Sequence, residues 1–183
     1  MNHKILKINT LNCRGLRNGS KRREVFSWIK RYHNSIILLQ ETHSLQTSET
    51  QWQKEWAGSV FFSHGTANSC GVAILIPKEV DYVFIDKRQD RNGRILIVNL
   101  STEIGLITLI NVYLPTKDND DEQKKVFGKL HCMVAPWTTM IKTVLLVEIS
   151  TYVRTRKLIR WAEFRSIHQK QSTHYTALMR NLS

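Results

Sequence analysis

Short apolar runs rich in β-branched and aromatic residues recur along the first two thirds of the chain and predict β-strands. The first two, Lys4 to Leu11 and Ser35 to Leu39, are separated by a segment whose apolar residues have helical spacing. Four later runs have the same composition: Ser59 to Ser63, Gly71 to Ile76, Ile95 to Leu100 and Leu106 to Leu114. Asp118 to Val134 is predicted as a second helix, since its acidic residues come first. The order of these elements predicts an α/β fold.

The segment between the first two strands has the pattern of an amphipathic helix with a basic outer face. Ser20 is a typical N-cap residue, and Glu24 lies in the first turn, where a carboxylate complements the helix dipole. Its apolar positions are Val25, Trp28, Ile29 and Tyr32. A solvated surface is the expected role of its five basic residues, Lys21, Arg22, Arg23, Lys30 and Arg31.

Two polar residues follow the first two strands at a place where a ligand site is expected. A helix between two strands makes them parallel neighbours through a right-handed crossover. Asn12 and Glu41 then lie side by side at the carboxyl ends of the strands, where such sheets bind ligands. An amide and a carboxylate suit Mg²⁺, with Mn²⁺ as a substitute. Each also has an ordinary explanation, because Asn often caps a turn and a lone Glu is often solvated.

Composition narrows the class of protein. At 183 residues with 42% hydrophobic residues, the chain is long enough for one globular domain. Three cysteines without close spacing give neither a disulfide framework nor a zinc site, and they favour a reducing compartment. The N-terminus lacks the apolar core of a signal peptide, and no apolar run approaches membrane-spanning length. We therefore expect an intracellular protein, nuclear or cytoplasmic, without a membrane partner.

The chain is strongly basic, but half of the excess lies in its last quarter. The net charge of +12 favours a polyanionic partner such as nucleic acid. Residues 137–183 hold eight basic and two acidic residues but no glycine or proline. Strand-helix junctions depend on glycine and proline, so this segment differs in character from residues 1–136.

Three motifs together resemble successive motifs of the endonuclease/exonuclease/phosphatase superfamily. They are Thr10-Leu11-Asn12-Cys13-Arg14-Gly15-Leu16, Leu39-Gln40-Glu41-Thr42-His43 and Asn111-Val112-Tyr113-Leu114-Pro115, with Gly71-Val72-Ala73-Ile74-Leu75 between the last two. Each motif alone has low specificity, but their order, spacing and strand context are specific over about the first three quarters of the chain. The sequence is most similar to the apurinic-type endonuclease domain of LINE-type, non-LTR retrotransposon polyproteins.

The resemblance implies a four-layer α/β sandwich that hydrolyses a DNA phosphodiester with Mg²⁺. Glu41 would bind the metal, Asn12 would orient the site through hydrogen bonds, and the hydroxyl of Tyr113 would contact the scissile phosphate. Thr116 stands where the retroelement pattern often has Asn. The implied partner is DNA, with RNA as an alternative.

Several residues near the motifs have simpler explanations. Tyr113 is also explained as a strand aromatic whose hydroxyl faces water. His43 and His64 are expected to be structural or solvent-facing rather than catalytic. Cys13 has no neighbouring residue that would make it a nucleophile.

Two motifs that the chemistry of the family requires do not occur in this sequence. Gly-Asp-Phe-Asn should follow the next strand and position water and phosphate, and Ser-Asp-His should lie near the end of the domain. Loss of residues that act as a unit costs orders of magnitude in rate, so little or no activity is expected. We also expect only a partial sandwich, truncated or scrambled in its C-terminal half. Most of the second sheet would be missing and an apolar sheet face exposed, which predicts a monomer or an aggregation-prone chain.

A change of reading frame would account for the missing first motif. Val147 to Thr151 can be encoded as GTG GAG ATT TCA ACG, and reading from the third base gives Gly-Asp-Phe-Asn. This hypothesis divides the chain into three parts: residues 1–136 from the endonuclease domain, residues 137–168 out of frame, and residues 169–183 as an in-frame remnant. The alternative is a diverged basic segment. The pattern of the residues, whatever their origin, predicts a strand at Val144 to Ile149 and a short basic helix at Lys157 to Phe164.

Two other functions fit the same sequence. One is a different phosphodiesterase or phosphatase of the superfamily. The other is a non-catalytic nucleic-acid-binding protein that uses the basic helix and the basic tail. Salt-dependent DNA affinity without Mg²⁺-dependent nicking would favour the second alternative.

Overall fold

The computed structural model of the protein describes residues 6–32, 34–115 and 119–137, together with the backbone of residues 143–150. This part of the chain contains eight strands and three α-helices. The strands are β1 (Lys7–Asn12), β2 (Ser35–Gln40), β3 (Gly58–Ser63), β4 (Val72–Pro77), β5 (Val83–Gln89), β6 (Ile95–Thr102), β7 (Gly105–Leu114) and β8 (Thr143–Ser150). The helices are α1 (Gly19–Ile29), α2 (Glu49–Trp56) and α3 (Asp120–Val134).

The strands form two four-stranded sheets with related topology. The first has the order β1-β2-β4-β3 and the second the order β5-β6-β7-β8. β1 and β2 are parallel, with Asn12 opposite Gln40, which confirms the predicted crossover unit. β7 and β8 are also parallel, whereas the other neighbours are antiparallel.

Three hydrophobic cores separate four layers. Successive side chains of a strand point to opposite faces, so Ile95 and Ile97 pack toward α3, whereas Leu96 and Val98 pack toward the first sheet. The outer face of the first sheet is covered by α1 and α2, through residues such as Phe26 and two tryptophans, Trp52 and Trp56. β2 is buried at every position because both of its faces are covered. The four-layer α/β sandwich is therefore confirmed.

The predicted exposure of an apolar sheet face is wrong. Ile36, Leu38 and Ile74 of the first sheet lie in one buried cluster with Leu96 and Val98 of the second. Three strands of the second sheet come from residues 83–114, inside the part of the chain with a clear α/β pattern. The described chain thus supplies the partner layer whose absence was the reason for expecting aggregation.

The first helix differs from the prediction at its start and on its outer face. Asn18, rather than Ser20, is the N-cap, and its side chain accepts a hydrogen bond from the N–H of Lys21 at 3.1 Å. Arg22 is not solvated, because it is only 4% exposed and forms an ion pair of 2.6 Å with Glu55 of α2. Two elements were not predicted, α2 and β5. α2 has a short apolar signal, and β5 has little inward-outward alternation because most of its positions are exposed.

Predictions for the end of the chain have mixed outcomes. The strand at Val144 to Ile149 is confirmed as β8, which pairs with β7. Thr116, Asp118 and the predicted helix at Lys157 to Phe164 lie outside the described residues. The boundaries at residues 136 and 168 stay predictions. Among the described helices, none combines the length and the apolar character needed to cross a membrane.

Candidate active site

Side chains from two of the motifs converge on one carboxylate oxygen of the residue that the third motif supplies. Asn12 ends β1, Glu41 directly follows β2, and Tyr113 lies near the end of β7 in the opposite sheet. The amide Nδ2 of Asn12 donates a hydrogen bond to Oε1 of Glu41 at 2.9 Å. The hydroxyl of Tyr113 donates to the same oxygen at 2.7 Å. The fold thus places the three candidate residues in direct contact.

The backbone around Glu41 is fixed by hydrogen bonds that continue beyond the paired strands. The N–H of Cys13 donates to the carbonyl of Gln40 at 3.0 Å, and the N–H of Gly15 donates to the carbonyl of Glu41 at 2.6 Å. Glu41 itself has a left-handed φ of 52°, which is uncommon for a residue with a side chain. Such strain persists where the surroundings enforce it, and it concentrates at functional sites.

Gly15 cannot be replaced freely in this loop. Its φ is 82°, and a Cβ at this position would lie 2.9 Å from Nδ1 of His43. His43 also has a left-handed φ, of 52°, so the two loops fit closely against each other. The positive φ and the close approach of His43 together explain why a glycine follows Arg14 in the first motif.

Beneath the site, Thr10, Gln40 and Asn111 form a buried polar contact that we call the intersheet bridge. The side-chain amide of Gln40 donates to Oδ1 of Asn111 at 2.7 Å and to the hydroxyl of Thr10 at 3.0 Å. The amide of Asn111 donates to the carbonyls of Leu39 and Ala73, each at 2.9 Å. Both Gln40 and Asn111 are fully buried. The intersheet bridge therefore ties β7 to β2 and β4 directly below Tyr113 and Glu41.

Sequence reasoning missed the intersheet bridge and one further residue. Each bridge residue lies one or two positions before a site residue, so the signal was present in the motifs without a stated role. Arg94 was not singled out at all, yet its guanidinium carbon lies 5.5 Å from the ring centroid of Tyr113. Nothing in the residues around Arg94 predicts this contact, because it depends on the pairing of β6 with β7.

Burial keeps the hydroxyl of Tyr113 protonated. Loss of hydration, together with the hydrogen bond to the Glu41 carboxylate, raises the pKa of Tyr113 above its ordinary value. At neutral pH this side chain is consequently a neutral hydrogen-bond donor. It can donate to an anionic oxygen but cannot serve as a base.

The remaining titratable residues near the site have structural contacts. Burial raises the pKa of Cys13 to about 12, and its thiol donates to the carbonyl of Gln40 at 2.9 Å. His64 contacts the hydroxyl of Ser44 at 2.9 Å and the carboxylate of Glu49 at 2.7 Å. Both residues are thus engaged in local structure.

The thiol of Cys13 is expected to be much less reactive than that of Cys132. A thiolate is the reactive form, and burial suppresses it at Cys13, whereas Cys132 is exposed. Brief treatment with iodoacetamide at pH 8, followed by peptide mass spectrometry, should label Cys132 at least about tenfold faster. Equal labelling rates in the folded protein would show that Cys13 is accessible and ionised.

The oxygen donors at the site fit a weakly held hard cation. Within the described residues, both hydrogen bonds to the Glu41 carboxylate end on Oε1, which leaves Oε2 for a metal. The Oδ1 of Asn12 accepts a hydrogen bond from the N–H of Arg14 at 3.1 Å. Mg²⁺ is often held by one or two carboxylates together with waters and substrate phosphates. No group of three His, Cys, Asp or Glu side chains suited to a metal occurs in this part of the chain.

The sandwich and its site define a domain of the nuclease and phosphodiesterase class. The sequence matches the Endonuclease/Exonuclease/phosphatase family over residues 9–174. The chain therefore belongs to this family, whose nucleases generally use divalent metals such as Mg²⁺. The match runs past residue 136, so it does not mark a domain boundary there.

Known proteins are similar to this chain, but the similarity covers only part of the length of each. The "Transposon TX1 uncharacterized 149 kDa protein" of Xenopus laevis is 36% identical over 111 residues, which is 61% of this chain and 8% of that protein. Exodeoxyribonuclease III of Haemophilus influenzae is 30% identical over 127 residues, 68% of this chain and 47% of that enzyme. The crystal structure of TDP2 from Caenorhabditis elegans shares the fold, with a TM-score of 0.55 and 19% identity over 76% of this chain and 44% of TDP2. The chain thus spans less than half the length of each.

Proposed function

We propose that this chain is a degenerate fragment of a retrotransposon endonuclease domain, with half of a Mg²⁺-dependent site for DNA phosphodiester hydrolysis and little or no activity. The observation that carries the proposal is the convergence of Asn12 and Tyr113 on Oε1 of Glu41. Similarity to a transposon protein and to an exodeoxyribonuclease supports the choice of branch and of substrate.

Each of the three residues has a definite role in this proposal. Glu41 supplies the carboxylate for the cation, and Asn12 holds that carboxylate in place. Tyr113 keeps its single proton, and when a phosphate binds, the hydroxyl would turn from Oε1 of Glu41 and donate to a non-bridging phosphate oxygen. The cation, when bound, would neutralise part of the phosphate charge.

The proposal of low activity rests on the absent Gly-Asp-Phe-Asn motif. The described residues offer no second carboxylate within the contacts of Glu41 to activate a water molecule. The register of β8 locates the codons of the frameshift hypothesis, because Ile149 pairs with Tyr113 and Ser150 pairs with Leu114. A Gly-Asp-Phe-Asn motif encoded at this position would occupy the carboxyl end of β8, beside the site.

The nucleotide sequence between codons 136 and 169 tests the frameshift directly. If the shifted frame spells Gly-Asp-Phe-Asn, residues 137–168 are out of frame and the chain is a decayed endonuclease. A nucleotide sequence without this motif would make the basic tail genuine protein and would favour a binding function.

The purified chain should cleave plasmid DNA at least about 10²–10⁴-fold more slowly than Haemophilus exodeoxyribonuclease III cleaves the same DNA, because a general base contributes a factor of this size. Any residual nicking should need Mg²⁺ and should disappear in Glu41→Gln, which removes the anionic ligand at constant size. Gel assays of plasmid topology, with and without EDTA, measure both. A rate comparable to that of the intact enzyme would refute degeneracy, and residual nicking that survives in Glu41→Gln would refute the site.

A non-catalytic nucleic-acid-binding function is favoured by one contact at the site. The ammonium group of Lys21, at the start of α1, donates to the carbonyls of Cys13 and Arg14 at 3.0 and 2.8 Å. This places the basic end of α1 next to the loop that follows Asn12. Salt-dependent DNA binding that is identical in Glu41→Gln, together with no nicking in Mg²⁺, would favour this second function.

A further inference from the structure

Arg94 is a cation at the candidate active site that the three-residue site does not use. It lies in the turn before β6 and is half-buried. Its guanidinium carbon lies 5.5 Å from the ring centroid of Tyr113, and its Nη1 lies 3.4 Å from the carbonyl oxygen of the same residue. The Arg94 side chain therefore contacts both the ring and the backbone carbonyl of Tyr113, whose hydroxyl lies at the candidate active site.

The backbone of Arg94 is fixed before any ligand binds. Its N–H donates to Oδ1 of Asp90 at 2.8 Å, and its carbonyl accepts from the N–H of Tyr113 at 2.9 Å. Asp90 is only 6% exposed and also accepts from the N–H of Ile95 at 2.9 Å. The carbonyl of Gly93 accepts from the N–H of Gly71 at 2.9 Å, which joins this turn to the loop beside β4. A guanidinium on such a support loses little freedom on binding.

The charge of Arg94 has no close acidic partner within the described residues. No Asp or Glu oxygen of this part of the chain lies within 4 Å of its guanidinium. The carboxylate of Asp90 accepts from backbone N–H groups and lies 3.6 Å from the ammonium of Lys129. Glu122, which lies within electrostatic range of Arg94, is paired with Lys125 at 2.7 Å.

A guanidinium in this setting suits a phosphate. It has five N–H donors in a fixed plane, and the contact with the Tyr113 carbonyl uses one of them. Arginine binds phosphate through two parallel hydrogen bonds, and stacking on an aromatic ring leaves the edge of the guanidinium open for them. Charged hydrogen bonds of this kind position a nucleic-acid backbone without reading its sequence.

We propose that Arg94 binds a phosphate of the nucleic-acid strand next to the phosphate held at Tyr113. This inference rests on the proposed function, since it takes the ligand at Tyr113 to be a phosphodiester. The guanidinium lies over the ring of Tyr113, 5.5 Å from its centroid, and therefore close to the hydroxyl that marks the first phosphate but not on it. The two contacts thus fall on neighbouring nucleotides of one strand.

The salt dependence of DNA binding tests this role without requiring catalysis. Affinity is measured with a labelled oligonucleotide in EDTA, across a series of salt concentrations, for the wild type, Arg94→Gln and Arg91→Gln. Arg91 is an exposed residue of the same turn, so its variant removes an equal charge three positions away. In Arg94→Gln we expect weaker binding and a slope of log K against log salt that is smaller by about 1. The slope of Arg91→Gln should equal that of the wild type.

Equal slopes in Arg94→Gln and the wild type, or an equal loss in both variants, would overturn the assignment. Thermal unfolding checks that each variant is folded. If Arg94→Gln does not fold, Arg94→Lys replaces it, since a lysine keeps the charge but loses the two-bond geometry. Several-fold weaker binding in Arg94→Lys supports the role, and wild-type affinity overturns it.

Failure of the wild type to bind DNA would be a failure of the proposed nucleic-acid substrate. Arg94 is then judged with inorganic phosphate, through the rise in the midpoint of thermal unfolding. A rise in the wild type and Arg91→Gln that is absent in Arg94→Gln supports a phosphate site at Arg94. The same response in all three proteins, or no response in any, overturns it.

Discussion

Replacing Arg22 with alanine is expected to lower the free energy of unfolding by about 3–5 kcal/mol, the usual cost of removing one member of a buried ion pair. The guanidinium of Arg22 holds both oxygens of Glu55, at 2.6 and 3.0 Å, and also donates to the carbonyl of Leu16 at 3.1 Å. The side chains of Arg22 and Glu55 are only 5% and 7% exposed. The variant would leave a buried carboxylate without its main partner, and urea unfolding followed by circular dichroism measures the loss.

Arg23→Ala is the matched control for this effect. Arg23 lies 3.5 Å from the same carboxylate of Glu55, but its side chain is 59% exposed. A solvated pair of this kind contributes up to about 1 kcal/mol, so the control should unfold nearly as the wild type does. Equal losses in the two variants would mean that burial does not set the strength of this ion pair.

The pH dependence of the same variant has a definite sign. The hydrogen bond from Arg22 lowers the pKa of Glu55 below its ordinary value. A carboxylate with a lowered pKa stabilises the folded state above its unfolded pKa, and this contribution is lost as pH falls through the folded pKa. The difference between the wild type and Arg22→Ala should therefore be full at neutral pH and shrink on acidification.

The burial of Arg22 is an example of a contact that sequence patterns could not predict. A basic residue on a helix is normally solvated, and the sequence of α1 alone gives no reason to treat Arg22 differently from Arg23. The deciding partner is Glu55, which is 33 residues away on a helix that was not predicted. In α2, Trp52 and Trp56 are the buried residues, too few for a clear helical period.

The fold was largely predictable because its strands obey strong local rules. Six runs had the composition of strands, and the parallel pairing of β1 and β2 followed from the helix between them. β5 was missed because it is an edge strand with most positions exposed, so its apolar residues do not alternate with polar ones. The error about the second sheet had a different cause, since the missing motifs were taken to remove strands that residues 83–114 in fact supply.

Only the part of the candidate site that lies on the first sheet could be predicted from local sequence patterns. The positions of Asn12 and Glu41 follow from the carboxyl ends of two parallel strands, whereas Tyr113 was chosen through the family resemblance. The intersheet bridge and Arg94 depend on how the second sheet lies against the first and on the pairing of β6 with β7. Neither relation has a local sequence pattern, so both had to come from the structure.

Asn111→Leu is expected to destabilise the protein by roughly 3–5 kcal/mol, although leucine has nearly the same shape as asparagine. Asn111 is fully buried, and its side-chain amide serves three partners: Gln40 and the carbonyls of Leu39 and Ala73. Each buried polar group left without a partner costs about 1–3 kcal/mol, and relaxation recovers part of the total. Urea unfolding measures the effect.

Asn99→Leu provides the control for this substitution, because it makes the same chemical change in the neighbouring strand β6. Asn99 accepts a hydrogen bond of 2.6 Å from Thr108 but is half-buried, so its loss should cost about 0.5–1.5 kcal/mol. The intersheet bridge predicts a large difference between these two asparagines, since Asn111, unlike Asn99, joins its strand to the first sheet beneath Glu41. A second readout is Mg²⁺ affinity, which Asn111→Leu should weaken because Tyr113 then no longer fixes the Glu41 carboxylate. Equal stability losses, with unchanged Mg²⁺ affinity, would mean that the bridge neither joins the sheets nor supports the site.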